Sequence, residues 1–246
     1  MSAADVPQPP HAQAHSRPRR ALQLFWRLAT DRAFRNYKWV SYFPPKGAFQ
    51  LHKTTQPDRY PDIFEFLRAQ LGAESEIRIL SFGCSSGEEV FSLRQYFPRA
   101  TIKGIDINPR NIAQCKKQLR RKPDAAISFV TANSTAQEAA ASYDLICCMA
   151  VLRCGGLERP DVTRCDHRIR LADFSAVVDD FCRCLKPGGL LAIRHSNFRV
   201  SDAPTGHCFQ TILRIAYMHK VNIFDPGNRP LPDVDYPDTV FRKVAA

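Results

Sequence analysis

From residue 61 onward, the chain alternates between two patterns of apolar positions. Short apolar runs, typical of buried strands, lie near 77–82, 101–106, 126–131 and 143–149. Apolar residues three or four positions apart predict helices at 61–71, 87–96, 109–121 and 171–185. Strands that alternate with helices in this way are typical of a mostly parallel sheet with helices on both faces.

The carboxyl-terminal part continues the alternation. A Lys-Pro-Gly-Gly turn at 186–189 predicts the end of the last long helix, and a fifth strand follows at 189–195. Beyond it we expect a helix near 205–218. We also expect an antiparallel hairpin that pairs 221–224 with 240–244. The sequence therefore predicts an α/β fold of the Rossmann-like, doubly wound kind.

The amino-terminal part has a different composition. Residues 1–19 are rich in Pro, Ala and His and include Arg17 and Arg19, which predicts a disordered basic tail. Residues 20–36 have helical periodicity, and 37–55 are aromatic and interrupted by prolines, as in a cap over a ligand pocket. A packed extension without ligand contact is the alternative. We therefore expect a tail at 1–19, a helical cap at 20–72 and a ligand-binding domain at 73–246.

The turn after the first strand carries the most specific chemistry. Gly83 and Gly87 bracket a Gly-Cys-Ser-Ser-Gly sequence, and glycine lets backbone approach a ligand closely. A dinucleotide site needs a further glycine at the position of Ser85, so this turn is poor for a diphosphate. Glu88 and Glu89 begin the next helix and would repel a diphosphate, whereas they tolerate a cationic ligand such as S-adenosylmethionine.

The second strand ends in an acid. Asp106 follows the apolar run at 101–105, at the spacing where such folds hold ribose hydroxyls with a carboxylate. Pro109 then stands at an early helix position. The alternative for Asp106 is a helix-capping or surface acid.

The segment from Arg78 to Glu89 resembles the first motif of the CheR-type chemotaxis-receptor enzymes, which are class I S-adenosylmethionine-dependent methyltransferases. The resemblance implies a seven-stranded, mostly parallel sheet with an amino-terminal helical and aromatic cap. The resemblance extends upstream, where Thr55 and Arg59 have the spacing of the family's cofactor contacts. It also implies that Arg59 meets the methionine carboxylate of the cofactor, Glu88 its ammonium group and Asp106 its ribose. The full set of cofactor-binding residues it implies is Thr55, Arg59, Gly83, Cys84, Ser85, Gly87, Glu88, Asp106, Ile107, Asn133 and Met149.

This chain departs from the family after its fourth strand. The family continues Arg-Asn-Val-Leu, whereas this chain has Met149 and Ala150 before Val151 and Leu152. No insertion for a receptor-docking subdomain is visible. We therefore expect O- or N-methylation of a small molecule, not of receptor glutamates. RNA or protein methylation, or binding of S-adenosylmethionine without catalysis, are the alternatives.

Candidate acid–base groups lie after the fourth and fifth strands. The polar loop at 153–170 is expected to face the ligand crevice and contains Asp166 and His167, and His195 ends the fifth strand. Histidine can take a proton from a hydroxyl or amine near neutral pH, so His167 and His195 are the catalytic candidates. Surface or helix-capping roles are the alternative for each.

Composition bounds the partners and the compartment. The chain has 35 Lys and Arg against 24 Asp and Glu, a net charge of +11, so a nucleic-acid partner is open but not favoured over a solvated basic face. The nine cysteines are an odd count, and several lie in predicted buried strands and helices, which indicates free thiols in a reducing compartment and hence a cytoplasmic protein. The cysteines form no pair of Cys-x-x-Cys motifs, so no metal is expected. We expect no signal peptide, and no apolar run has the length of a membrane span.

Overall fold

The computed structural model describes residues 25–26, 29–30, 49–50, 55–159, 161–216, 221–232 and 234–244. The chain divides into two compact units, Met1–Pro44 and Pro45–Ala246. In the first unit the described residues 25–26 and 29–30 are helical, which agrees with part of the helix predicted at 20–36. The predicted tail at 1–19 and most of the aromatic segment at 37–55 lie outside the described residues.

The second unit alternates helices and strands as the sequence predicts. Its helices are α1 (Pro61–Leu71), α2 (Glu88–Tyr96), α3 (Pro109–Arg121) and α4 (Leu171–Cys184). Its strands are β1 (Arg78–Phe82), β2 (Thr101–Asp106), β3 (Ile127–Thr131), β4 (Tyr143–Met149), β5 (Leu185–Arg194), β6 (Phe209–Arg214) and β7 (Asp238–Lys243). Short 3₁₀ turns lie at Gly155–Leu157, Val200–Asp202 and Pro204–Cys208.

The seven strands form one sheet in the order β3-β2-β1-β4-β5-β7-β6. The first five strands pair in parallel, and β7 pairs antiparallel with both β5 and β6. Parallel strands are buried on both faces, and two clusters of buried apolar side chains accordingly include residues of these strands. In one cluster Phe82 of β1 meets Phe181 of α4 edge to face, with ring centroids 5.0 Å apart.

The carboxyl-terminal predictions were partly wrong. Residues 209–214 form strand β6, not a helix, although Phe209, Ile212 and Leu213 have the spacing of one helix face. Pairing with β7 decides the structure there, because strand formation depends on cross-strand partners more than on local preference. Residues 221–224 do not pair with 240–244; Phe224 forms an isolated bridge with Pro230.

Strand β5 begins earlier than predicted. The Lys-Pro-Gly-Gly turn lies within Leu185–Arg194, and the pairing with β4 shifts from Tyr143–Leu185 to Leu145–Leu190. The turn residues between Leu185 and Leu190 therefore form a bulge, because only one residue of β4 lies opposite them. Among the described residues, no helix has the length and apolar character that crossing a bilayer requires.

Candidate functional site

The strand order reverses between β1 and β4. From β1 the chain builds outward through β2 and β3 on one side, and through β4 and β5 on the other. In open α/β sheets, ligands bind in the crevice at the carboxyl ends of the strands at such a reversal. A cavity lies here, lined by Thr55, Gln56, Arg59, Tyr60, Phe64, Gly83, Cys84, Ser85, Glu89 and Met149.

The turn after β1 is held in an unusual backbone conformation. Gly83 and Gly87 have φ of 75° and 100°, and Ser85 between them has φ of 51°. Gly83 N–H and Cys84 N–H both donate to the carbonyl oxygen of Ile105, at 2.8 and 2.9 Å. A Cβ at position 83 would lie 2.4 Å from Cγ2 of Val151. Glycine is therefore required at position 83 both by backbone conformation and by space.

Asp106 connects this turn to β2. Its carboxylate accepts hydrogen bonds from Ser85 N–H at 2.9 Å, Asn108 N–H at 2.8 Å and Asn111 Nδ2 at 3.0 Å. The side chain is buried, and these three donors balance the cost of burying its charge. The predicted ribose contact stays a prediction.

The two glutamates at the start of α2 have different environments. Glu88, predicted to face an ammonium group, accepts a hydrogen bond from Ser86 Oγ at 2.6 Å and does not line the cavity. Glu89 lines the cavity and accepts from Ser81 Oγ at 2.6 Å. Burial raises the pKa of Glu89 to about 7, while the Ser81 hydrogen bond and the charge of Arg59 act in the opposite direction.

Tyr60 and His195 meet beside the cavity. Their ring centroids are 6.2 Å apart, and the Tyr60 ring also lies 5.2 Å from Cζ of Arg59. The Tyr60 hydroxyl is buried and has no hydrogen-bond partner within the described part of the chain. Burial raises the pKa of Tyr60 to about 12, so this hydroxyl stays protonated at neutral pH.

The ends of β4 and β5 carry two non-glycine residues in the left-handed region. Ala150 has φ of 58° and His195 has φ of 57°. Ala150 N–H donates to the carbonyl oxygen of Arg194 at 2.8 Å, which joins the two bends. Such conformations cost on the order of 1–2 kcal/mol each and concentrate at functional sites.

The other predicted residues lie outside the cavity lining. Gly87 is the residue before α2, Ile107 is half-buried after β2, and Asn133 is exposed after β3. His167 is exposed in the loop after β4, where Asp166 forms an ion pair with Arg164 at 2.6 Å. The structure therefore brings six predicted cofactor residues to the cavity, namely Thr55, Arg59, Gly83, Cys84, Ser85 and Met149.

Sequence reasoning missed four cavity residues, which are Gln56, Tyr60, Phe64 and Glu89. Glu89 had a signal, because it follows Glu88 directly and either could face the ligand. Phe64 lies in the helix predicted at 61–71, and it lines the cavity from the first turn of α1. Tyr60 had no local signal beyond its position next to Arg59.

The cavity residues fit the amino-acid end of S-adenosylmethionine. That end carries a carboxylate and an ammonium group, and the cavity presents the Arg59 guanidinium and the Glu89 carboxylate. Two buried hydroxyls without partners among the described residues, on Tyr60 and Ser85, add hydrogen-bonding capacity on the same wall. Buried polar groups of this kind are expected to be satisfied by a ligand or water.

A family model described as "Methyltransferase domain" matches residues 73–222, more than half of the chain. Among solved structures, phosphoethanolamine N-methyltransferase 2 from Haemonchus contortus in complex with S-adenosyl-L-methionine is 16% identical, with a TM-score of 0.44. That match covers 68% of this chain and 33% of the other. Geranyl diphosphate C-methyltransferase from Streptomyces coelicolor A3(2), crystallised with S-adenosyl-L-homocysteine, is 14% identical with a TM-score of 0.40. That match covers 54% of this chain and 45% of the other.

The chain thus spans less than half the length of these two solved structures. A search of curated proteins finds no match. The family match covers β1 to β6, together with the glycine turn after β1, Asp106 and the reversal of strand order. The chain belongs to the methyltransferase-domain family, the class I enzymes that use S-adenosylmethionine.

Proposed function

We propose that this protein transfers the methyl group of S-adenosylmethionine to an oxygen or nitrogen of a small molecule. The observation that carries the proposal is that Arg59 and Glu89 both line the cavity, with the charge of Arg59 close enough to lower the pKa of Glu89. A zwitterionic amino-acid group needs one cation and one anion held close together. The family match supplies the reaction class.

The described side chains would divide the work of binding. Arg59 would hold the cofactor carboxylate, Glu89 its ammonium group, and Asp106 its ribose. Gly83 lets the backbone come close, and Met149 provides an apolar wall at the end of β4. When bound, S-adenosylmethionine supplies an electrophilic methyl group that the lone pair of an acceptor displaces from sulfur.

The main task of the protein is then to align the acceptor atom with the methyl group and the sulfur. His195 follows β5 and is half-buried beside Tyr60, so it is the better placed of the two predicted histidines to hold a proton from the acceptor. His167 remains a candidate only if the exposed loop that carries it closes over the cavity. The finer resemblance to CheR-type enzymes rests on sequence motifs, chiefly the one at 78–89, and Met149 and Ala150 argue against glutamate side chains as acceptors.

The test has two stages. Calorimetry should show binding of S-adenosylmethionine and S-adenosylhomocysteine but not of NAD. Label from methyl-labelled cofactor should then appear in the molecules of a cell extract that pass a filter of about 1 kDa. It should not appear in the RNA or protein of the same extract. Tight NAD binding without binding of either adenosyl ligand would refute the cofactor assignment.

The same labelling separates the alternatives. Label in the RNA fraction that falls with added salt would favour an RNA methyltransferase, since phosphate contacts weaken as ions compete. Label in protein would favour a protein acceptor. Binding of the cofactor with no label in any fraction would favour a non-catalytic binding module.

A further inference from the structure

Two cysteines meet at the edge of the sheet where β6 begins. Cys182 lies in the last turn of α4, and Cys208 ends the 3₁₀ turn that leads into β6. The two elements are joined one turn earlier, where the backbone N–H and the hydroxyl of Thr205 donate to Asp179 Oδ1 at 3.2 and 2.6 Å. Each cysteine follows a member of that bonded pair by three residues, and residues three apart share a face in both kinds of helix.

The end of β7 closes the same cluster. Lys243 Nζ donates to the carbonyl oxygen of Cys182 at 2.6 Å, and Val244 N–H donates to that of Cys208 at 2.9 Å. The two thiols form a hydrogen bond with each other. Burial raises the pKa of Cys182, although the charge of Lys243 acts in the opposite direction. Cys182 therefore stays a thiol at neutral pH and can donate to the sulfur of Cys208.

The neighbouring histidine is oriented to accept a proton from Cys208. His207 is exposed, and its Nδ1 lies 2.8 Å from the carbonyl oxygen of Pro204. A carbonyl oxygen only accepts hydrogen bonds, so Nδ1 carries the proton of the neutral ring and Nε2 offers its lone pair. Nε2 lies 3.4 Å from the sulfur of Cys208. A thiol, a base within reach and a third group that orients the base together make an activated nucleophile.

Solvent access distinguishes this pair from the other hydrogen-bonded thiols. Cys182 and Cys208 are 8% and 7% exposed, whereas Cys84 and Cys115, which also hydrogen-bond to each other, are 2% and 0% exposed. A small oxidant from solvent therefore reaches the first pair more readily. Cys154 is half-buried and is the more accessible target for a large thiol reagent, but a bridge needs two thiols in contact.

We propose that Cys208 and Cys182 form a reversible redox site that hydrogen peroxide oxidises to a disulfide. Cys208 passes its proton to Nε2 of His207 while its sulfur attacks one peroxide oxygen. The O–O bond breaks, Cys208 becomes a sulfenic acid, and the departing hydroxide takes up the proton as water. The sulfur of Cys182 then attacks the sulfur of Cys208, the S–O bond breaks, and hydroxide leaves with the Cys182 proton as a second water. Two thiols thus lose two electrons to one peroxide.

This chemistry is separate from methyl transfer. Cys182, Cys208 and His207 do not belong to the described lining of the cavity, and the pair adjoins β6 at an edge of the sheet. In the reducing compartment that the cysteine content predicts, a disulfide is transient and serves catalysis or redox sensing. The bridge should accordingly form under peroxide and be reversed by a dithiol.

The test treats the full chain with a small molar excess of hydrogen peroxide, blocks the remaining thiols and maps bridges by peptide mass spectrometry. The expected product is a bridge between Cys182 and Cys208 that dithiothreitol removes. Cys182→Ser should stop the reaction at a sulfenic acid on Cys208, which dimedone traps. Cys208→Ser should leave Cys182 as a thiol, because the attacking sulfur is gone.

The role of His207 has its own readout. His207→Gln keeps a polar side chain at an exposed position but removes the base, so bridging at pH 7 should slow by about tenfold or more. The difference from wild type should shrink at pH 9, where a thiol ionises without help. Cys154→Ser is the matched control and should bridge at the wild-type rate at both pH values.

Three results would overturn the proposal. One is a bridge between Cys84 and Cys115 in place of the one between Cys182 and Cys208. Another is a wild-type rate of bridging in His207→Gln at pH 7. The third is a native protein that keeps both thiols under peroxide that bridges the chain in urea, since burial would then protect the pair. None of these results bears on cofactor binding or methyl transfer, which are measured separately.

Discussion

Glu89 should make cofactor binding depend on pH near neutrality. Its carboxylate must be ionised to bind an ammonium group, yet burial raises its pKa to about 7 in the cofactor-free protein. With that value, about nine-tenths of the molecules carry the charge at pH 8 and about one-tenth at pH 6. The Kd of S-adenosylhomocysteine should therefore rise by about tenfold between pH 8 and pH 6.

Glu89→Gln should remove this dependence. At pH 8 it should also weaken binding by about 1.5–3 kcal/mol, the usual contribution of a hydrogen bond to a charged group. Its effect on the cofactor-free protein has the opposite sign. A folded-state pKa above the unfolded value means that stability is lost as pH rises from about 4.5 toward 7. The glutamine variant should therefore melt at a higher temperature than wild type at pH 8.

Isothermal titration calorimetry in buffers of different ionisation enthalpy measures both the affinity and the protons released. Wild type should release close to one proton more than Glu89→Gln near pH 6. Glu88→Gln is the matched control, because Glu88 bonds to Ser86 outside the cavity lining and this variant should keep the wild-type dependence. The amino group of the ligand titrates equally in all three proteins. A pH dependence that disappears in Glu88→Gln and survives in Glu89→Gln would refute the assignment of Glu89 to the ammonium group.

Three further outcomes are expected. Asp106→Ala should weaken S-adenosylhomocysteine binding by about 1–3 kcal/mol by calorimetry, because its hydrogen bonds order the turn at Ser85; unchanged affinity would make Asp106 dispensable. Gly83→Ala should lower the melting temperature, since its Cβ would meet Val151 at 2.4 Å, and Val151→Ala in the same chain should restore part of the loss. Eight cysteines are buried and Cys154 is half-buried, so a thiol reagent should modify one thiol quickly in the native protein, and Cys154→Ser should abolish that fast phase.

The sequence predicted β1 to β5 and their helices because each strand is a short apolar run and each turn carries Gly, Pro or Asn. These signals are local, and burial on both faces of a parallel sheet reinforces them. Strand β6 was missed because its partner β7 lies more than twenty residues away, and Phe209, Ile212 and Leu213 also fit a helix. Nothing within a short window distinguishes these two outcomes.

The site was predictable only where one motif contains it. The glycine turn and Asp106 follow strands directly, so their place at the carboxyl edge of the sheet follows from the strand pattern. The choice between Glu88 and Glu89 depends on the helix start at Gly87 and on the Ser81 hydroxyl eight residues earlier. The contact of Tyr60 with His195 joins residues 135 positions apart, and no local pattern encodes it.

The paired bends at Ala150 and His195 reverse a usual rule of protein engineering. Replacing alanine by glycine normally destabilises a protein, because glycine adds freedom to the unfolded chain. At φ of 58° the penalty of a Cβ acts on the folded state instead, so Ala150→Gly should cost little stability or add to it. Consensus design that favours alanine or larger residues here would retain strain beside the cavity, and loosening one bend would also release its neighbour through the Ala150–Arg194 hydrogen bond.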